Sequence, residues 1–293
     1  MKIGAFELNE PLPELRNAQA FAMLSPWIDV GGVGSSTLRS LETHFKASEM
    51  GKLSRPGMFY DFTRYRPVSS LVEGRRVIKI PNTVINYSRR EDGDFVFLHF
   101  LEPHAMGEAY VDSVLRVLEK LGVTRYFLIG GMYDAVPHTR PLVITGSASG
   151  GFEGKLREAG VKDSGYQGPK TINILITDEA PKRGIETMIS IVHLPHYAQL
   201  EEDYSGQHAL LNLACHLFGL SINIDRIKQK GEEQYRRINQ AVEADPDISE
   251  LVRAMEKSYD EGAGKTRRPE RMPLLSPEIE RFLREMEKRF ESD

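Results

Sequence analysis

The stretch Arg125 to Gly151, RYFLIGGMYDAVPHTRPLVITGSASGG, decides the fold. Tyr126 to Ile129 is a continuous apolar run closed by Gly130 and Gly131, the pattern of a strand buried on both faces. Leu142 to Thr145 is a second β-rich run, closed by Gly146-Ser147-Ala148-Ser149. Between them, two prolines bracket His138, Thr139 and Arg140 in Asp134-Ala-Val-Pro-His-Thr-Arg-Pro141. Each proline fixes its own φ and drives the preceding residue out of the helical region, so the loop is stiff. Its chemistry suits an anion or a partner carboxylate.

Upstream, Ala18 to Leu24 reads as a first strand. It runs through Trp27-Ile28-Asp29-Val30 into Gly31-Gly32-Val33-Gly34-Ser35-Ser36-Thr37, after which Leu38, Leu41 and Phe45 take helical spacing. Strand, glycine loop and helix start can present backbone N–H groups to a phosphate. The dinucleotide fingerprint wants a third glycine where Thr37 stands, and Lys52-Leu-Ser-Arg-Pro-Gly is loop-like where an acidic strand end is needed. Close packing of helix on strand is the better account of these glycines. Gly57 to Phe62 reads as a second strand, with Asp61, Arg64 and Arg66 as an ion-pair cluster at its end. Arg75 to Ile80 is a third, and Asp94 to Leu101 a fourth, ending in Glu102-Pro103-His104. Val111, Val114, Leu115, Leu118 and Leu121 then form one apolar helical face, stopped by Gly122. Strand, helix, strand implies a parallel pair with a right-handed crossover. Open α/β sheets bind ligands beyond the carboxyl ends of such strands, so the Gly31 loop, Glu102–His104 and the Asp134–Arg140 loop are expected on one rim.

Downstream, Gly146 to Gly151 leads into a short helix, Phe152 to Ala159, a second candidate anion nest. Thr171 to Ile176 and Thr187 to Val192 read as strands, the latter ending in His193-Leu-Pro-His196-Tyr197. Pro195 lies between the two histidines and no cysteine is near, so neutral, hydrogen-bonded histidines are expected rather than metal ligands. Gly206 to Leu220 is apolar almost all round, a buried helix. From Asp225 the composition turns charged. The expected organisation is an α/β core over residues 1–224, a helical appendage over 225–261, a linker over 262–275 and an amphipathic helix over 276–293. In the appendage, Pro246 opens a helix with Ile248, Leu251, Val252, Met255 and Tyr259 on one face; in the last helix that stripe is Ile279, Phe282, Leu283, Met286 and Phe290. Gly262-Ala-Gly-Lys-Thr imitates the tail of a phosphate loop, but Tyr259 stands where the first glycine belongs and a helix precedes it.

The 293 residues are 40% hydrophobic with net charge −4 and mixed signs, which leaves no electrostatic footprint for nucleic acid or an anionic membrane. No apolar run approaches the roughly 20 residues of a membrane span. A single cysteine, Cys215, lies in an apolar run, and the amino terminus lacks a signal-peptide core. A cytoplasmic protein is expected, without cofactor or metal.

Val136-Pro-His-Thr-Arg-Pro141, Gly146-Ser-Ala-Ser149, Glu102-Pro103-His104, Tyr166-Gln-Gly-Pro169, Leu194-Pro-His-Tyr197 and Asp61-Phe-Thr-Arg-Tyr-Arg-Pro67 together resemble the proteasome assembly chaperone 2 family, its bacterial, actinobacterial-like members in particular. The likeness runs from about Met23 to Tyr259. It implies a three-layer α/β sandwich with a mixed, largely parallel sheet, similar to the phosphorylase/hydrolase-like fold, plus appended C-terminal helices. It also implies homo-oligomers, trimers among them. Some archaeal relatives dock on the proteasome through a hydrophobic–Tyr–X ending, and Phe290-Glu-Ser-Asp293 lacks it.

Two functional readings follow. One is a non-enzymatic assembly or scaffold protein with a protein partner. The other is an enzyme or sensor for a small anionic or nucleoside-like molecule, with a rim pocket of Gly32, Gly34, Glu102, His104, His138, Thr139, Arg140 and His196. There Arg140 would hold the anion, and Glu102, His104 or His196 would move protons. A Glu102–Arg140 or Asp134–Arg140 pair that fixes the loop is an equally economical account of the same residues.

Overall fold

The structure is a computed structural model and describes residues 1–262. Its strands are β1 (Lys2–Ile3), β2 (Phe6–Leu8), β3 (Ala18–Ser25), β4 (Ser48–Leu53), β5 (Val68–Val72), β6 (Arg75–Lys79), β7 (Val84–Ser88), β8 (Phe95–Leu101), β9 (Val123–Asp134), β10 (Ile144–Ala148), β11 (Lys162–Asp163) and β12 (Glu186–Pro195). Ten form one sheet in the order β1-β2-β4-β7-β8-β3-β9-β12-β10-β11, while β5 and β6 pair only with each other. The four longest strands, β8, β3, β9 and β12, are neighbours and run parallel. Antiparallel pairs make up the whole of one margin; on the other, β12–β10 is antiparallel and β10–β11 parallel. The mixed sheet expected from the sequence is therefore present.

Alternation along the central strands splits the interior in two. Ala20, Ala22, Val96, Leu98, Tyr126 and Leu128 belong to one core, and Phe21, Met23, Phe97, Phe127 and Ile129 to the other. Successive side chains of a strand point to opposite faces, so a continuous apolar run fills both layers at once. Helix α1 (Val33–His44) and, much later, α5 (Tyr204–Phe218) cover the second core; α2 (Gly107–Lys120) covers the first. Two short helices, α3 (Glu153–Glu158) and α4 (Asn173–Glu179), complete the layers. The segment β8–α2–β9 is parallel, as expected, but β3 lies between its two strands.

Three assignments made from the sequence are corrected. Gly57–Phe62 is not a strand. Pro56 opens a 3₁₀ turn over Pro56–Met58, and adjacent Phe59 and Tyr60 both enter the same core, which a strand would forbid. Thr171–Ile176 is not a strand either, because α4 occupies it: Ile172 and Ile176, one turn apart, pack into the first core, and buried Asn173 accepts the Tyr126 hydroxyl at 3.2 Å. A short apolar run cannot distinguish strand from buried helix by periodicity. Arg75–Ile80 does contain a strand, but it lies outside the main sheet. Strand β4 takes only Lys52 and Leu53 of the Lys52–Gly57 segment read as a loop; the remainder is irregular and leads into the Pro56 turn.

Helices α6 (Asp225–Glu243) and α7 (Pro246–Glu261) form a third, smaller core in which Ile238, Val242, Ile248, Val252 and Met255 surround Tyr197 and Ala198. Asp245 caps α7, accepting the N–H groups of Asp247 and Ile248, and Pro246 takes the first position, as expected. Most of the linker and all of the helix expected over 276–293 lie outside the described residues.

Phe127 sits in the centre of the second core against Phe21 and Phe218. Phe127→Ala should cost about 3–5 kcal/mol. The midpoint of urea unfolding should fall while its slope stays constant.

Candidate functional site

Because β3, β8, β9 and β12 are parallel, Ser25, Leu101, Asp134 and Pro195 end on one edge of the sheet. The loops after them form its carboxyl rim. The Asp134–Pro141 loop is held there from below by histidines. His193 bridges the Asp134 carboxylate (Nδ1 to Oδ2, 2.7 Å) and the Thr145 hydroxyl (Nε2 to Oγ1, 2.8 Å). The Asp134 carbonyl accepts the backbone N–H of His196 at 3.2 Å and lies 3.1 Å from its Nδ1. Tyr197 reaches up from the same segment: its hydroxyl accepts the His138 backbone N–H at 2.8 Å and lies 2.6 Å from His138 Nδ1.

From above, the loop is held by α7. Arg140 is bidentate to Asp260, Nε to Oδ1 at 2.9 Å and Nη2 to Oδ2 at 2.8 Å, and its Nη1 reaches Glu256 at 3.2 Å. Thr139 donates to Glu256, and the Tyr259 hydroxyl donates to the Pro141 carbonyl at 2.9 Å. The carboxylate partner foreseen for this loop is present. Its identity is not the one expected: Arg140 pairs with neither Glu102 nor Asp134, because Asp134 faces His193 and the Glu102 carboxylate faces Ile172. The spacing of Glu256 and Asp260 puts both acids on one helix face, where a forked guanidinium can take them together.

Gly32 and Gly34 stand at the start of α1. The amides there have an internal anion, because Asp29 Oδ1 accepts the Ser35 N–H at 2.9 Å. Burial raises the Asp29 carboxyl pKa. Gly31 and Gly32 take left-handed φ of 58° and 57°. A side chain at Gly31 would meet Asp203 and Leu194, and one at Gly34 would meet the Ile129 carbonyl. The glycines serve close packing. Asp203 caps α5 through the Gly206 N–H at 2.8 Å and accepts the Tyr235 hydroxyl at 3.0 Å; the Tyr235 ring lies 6.2 Å from that of His138. This polar chain links the glycine loop to the histidine loop.

Glu102 and His104 keep different company. Glu102 Oε1 accepts the Ile172 N–H at 2.8 Å, its Oε2 is buried without a hydrogen-bond partner, and burial raises its pKa. His104 is exposed, accepts the Asp61 N–H at 3.2 Å and packs against Tyr65. Asp61 itself closes a turn onto Thr63 instead of ending a strand. Among the described residues, no group of three His, Cys, Asp or Glu side chains could hold a metal ion, and no helix is long and apolar enough to cross a membrane. Asp203, Tyr235, Glu256 and Asp260 were not foreseen. Only Tyr197 carried a signal, as the last residue of Leu-Pro-His-Tyr.

The family model for the PAC2 family matches residues 23–242. The chain belongs to the PAC2 family. Solved structures agree with the fold. A protein of unknown function from Corynebacterium glutamicum has a TM-score of 0.78 at 21% identity, covering 89% of this chain and 99% of its own. A PAC2 family protein from Streptomyces avermitilis gives 0.72 at 23% identity, covering 80% and 99%. A proteasome-assembly chaperone homologue from Mycobacterium tuberculosis gives 0.71 at 23%, with the same coverage. At these identities the likeness to the solved structures shows the fold alone. No curated protein matches the chain.

Tyr197→Phe strands the buried His138 N–H and should cost about 1–3 kcal/mol, read from thermal unfolding. Burial holds the His138 pKa below its ordinary 6.5. The unfolded chain therefore binds the proton more readily, and this contribution to stability is present above pH 6.5 and lost as pH falls below it. His138→Gln should flatten that part of the stability–pH profile.

Proposed function

We propose that the chain is a non-enzymatic assembly or scaffold protein of the proteasome-assembly-chaperone kind. It acts in the cytoplasm as a homo-oligomer, for which a trimer is one form, on a protein partner. One observation carries this reading: in the most distinctive stretch, Pro137–Pro141, the polar groups of Thr139, Arg140 and Pro141 are already taken by α7, which they clamp at the surface. A guanidinium already bidentate to Asp260 is a poor receptor for a further anion. The relatives lend support, since one is named a proteasome-assembly chaperone homologue and another, from Pyrococcus furiosus, an archaeal proteasome activator. In this reading residues 1–224 are the core and 225–261 the appendage that the clamp presents.

A second reading keeps one observation in its favour. Asp134, His193 and Thr145 have the distances of a carboxylate–imidazole–hydroxyl relay, and His196 Nε2 and Glu102 Oε2 are buried without hydrogen-bond partners. Against it, Thr145 and His193 are themselves buried, 6% and 9% exposed. A thermal-shift screen against nucleosides, nucleotides, phosphate, sulfate and carboxylates separates the two. The scaffold reading expects silence. A ligand at 100 times its dissociation constant would add about 2.7 kcal/mol. Such a hit, or ester turnover abolished by Thr145→Val, would replace the scaffold reading with a hydrolase or phosphorylase-like one.

Arg140→Ala should free α7 while sparing the sheet. Amide exchange over residues 246–261 should accelerate, with β9 unchanged. Arg140 holds the Asp260 carboxyl below its ordinary 3.8. The clamp is thus complete above that value and is lost as pH falls further, so wild-type exchange over the same residues should rise in that range.

A further inference from the structure

Helix α5 packs against both α1 and α6, and the three leave a groove of about 590 Å³ between them. That is the size of a ligand-binding cleft. Its floor is α5. Gln207 is buried there, and its Nε2 donates to the Ser36 carbonyl at 3.1 Å and to the Ser40 hydroxyl at 3.0 Å, which fixes α1 to α5. Beside this polar stitch, buried Leu211 and half-buried Ile222 and Ile227 line the groove with apolar surface. The walls are basic. Arg39 and His44 stand on α1, and Arg226 and Lys230 stand on α6. Set against Glu202, the acid that lines the groove with them, the two arginines and the lysine leave it net +2 in a chain of net −4.

These cations are uncommitted. Arg39 reaches Glu202 only at 3.8 Å, with the two side chains 58% and 52% exposed, and Glu202 also accepts the Tyr204 hydroxyl at 2.7 Å. Exposed pairs of that kind contribute little. Lys230 lies over the Tyr204 ring, 4.5 Å from its centre, and meets no carboxylate among the described residues. Among those residues the Arg226 guanidinium has neither an ion pair nor a hydrogen bond. Arg140, by contrast, is filled by Asp260 and Glu256.

The spacing of the charges points to the occupant. Arg226 and Lys230 are one turn apart, about 6 Å along α6, and Arg39 belongs to the other wall. The cations are therefore spread along and across the groove instead of converging on one point. Such an array suits carboxylates carried at intervals along a chain better than one compact oxyanion. Apolar side chains between those carboxylates would meet Leu211, Ile222 and Ile227. The remainder of the chain is net acidic, so the groove attracts a segment that the rest of the surface repels.

We propose that the α1–α5–α6 groove receives an acidic segment of the protein partner, with apolar residues between its carboxylates. The proposal rests on the scaffold reading and says what kind of partner it serves.

Fluorescence anisotropy on the full chain tests it, with a short dye-labelled peptide of alternating Glu and Leu as the probe. Wild type should bind the peptide, and more weakly as salt rises. Arg226→Glu/Lys230→Glu should weaken binding about tenfold. Arg116→Glu/Lys120→Glu makes the same change of charge on α2, over the other core, and should bind as wild type does. All four residues are exposed, so far-UV circular dichroism and melting temperature should match wild type in both variants. Peptides with Gln in place of Glu, or Ser in place of Leu, should each bind more weakly. A wild type that ignores the Glu–Leu peptide overturns the proposal. So does equal weakening in the two variants, or equal binding of a Lys–Leu peptide. Each of these results leaves the scaffold reading standing, with its partner surface elsewhere. Inorganic phosphate that displaces the peptide beyond the effect of chloride at equal ionic strength would make the groove a small-anion site. That result overturns the peptide assignment and the scaffold reading together.

Discussion

The parallel strands β3, β8, β9 and β12 must be covered on both faces, and most of the architecture follows from that. Each carries apolar residues at successive positions, so each contributes side chains to two interiors at once. Parallel neighbours cannot be joined by tight turns. The chain therefore leaves the sheet between them and returns over it, which supplies α1, α2, α3 and α4, while α5 follows the last strand and completes the cover of the second core. The same parallelism brings the loops after all four strands to one rim.

Polar chemistry at that rim is mostly internal. Asp134 is fixed by His193, His138 by Tyr197, Asp29 by the amide of Ser35, and Asp203 by Gly206 and Tyr235. Burial of such groups is tolerated because each has a hydrogen-bond partner; an orphaned buried group carries its full desolvation cost. The most distant of these links runs from Arg140 to α7, 116 to 120 residues later in the chain. It joins the helical appendage to a loop that two prolines have already stiffened. Little extra chain entropy is lost when the clamp forms, because one side of it is preorganised.

The hairpin obeys a different logic. Its local chemistry is sound: alternating pairs, a twist-matched turn and β-branched residues in both strands. It nevertheless has no buried face. Every other long apolar stretch among the described strands meets either a helix or another strand. The contrast separates segments that specify the monomer from a segment whose apolar residues add nothing to either core.

Local pattern alone determined the central strands, the faces of α2 and α7, the proline start of α7 and the likeness to its family. Periodicity and turn chemistry are properties of a few consecutive residues and survive in any context. Tertiary structure decided the rest. Asn173–Ile176 is helical, with Ile172 and Ile176 on one core, and Gly57–Phe62 turns so that Phe59 and Tyr60 enter that core together. The sequence placed Arg140 beside a carboxylate without saying which one. Asp134 and Glu102 were nearer along the chain, but His193 and the Ile172 amide hold them, leaving Glu256 and Asp260. Partner choice depends on which side chains packing brings within about 3 Å of each other. No window of consecutive residues contains that information.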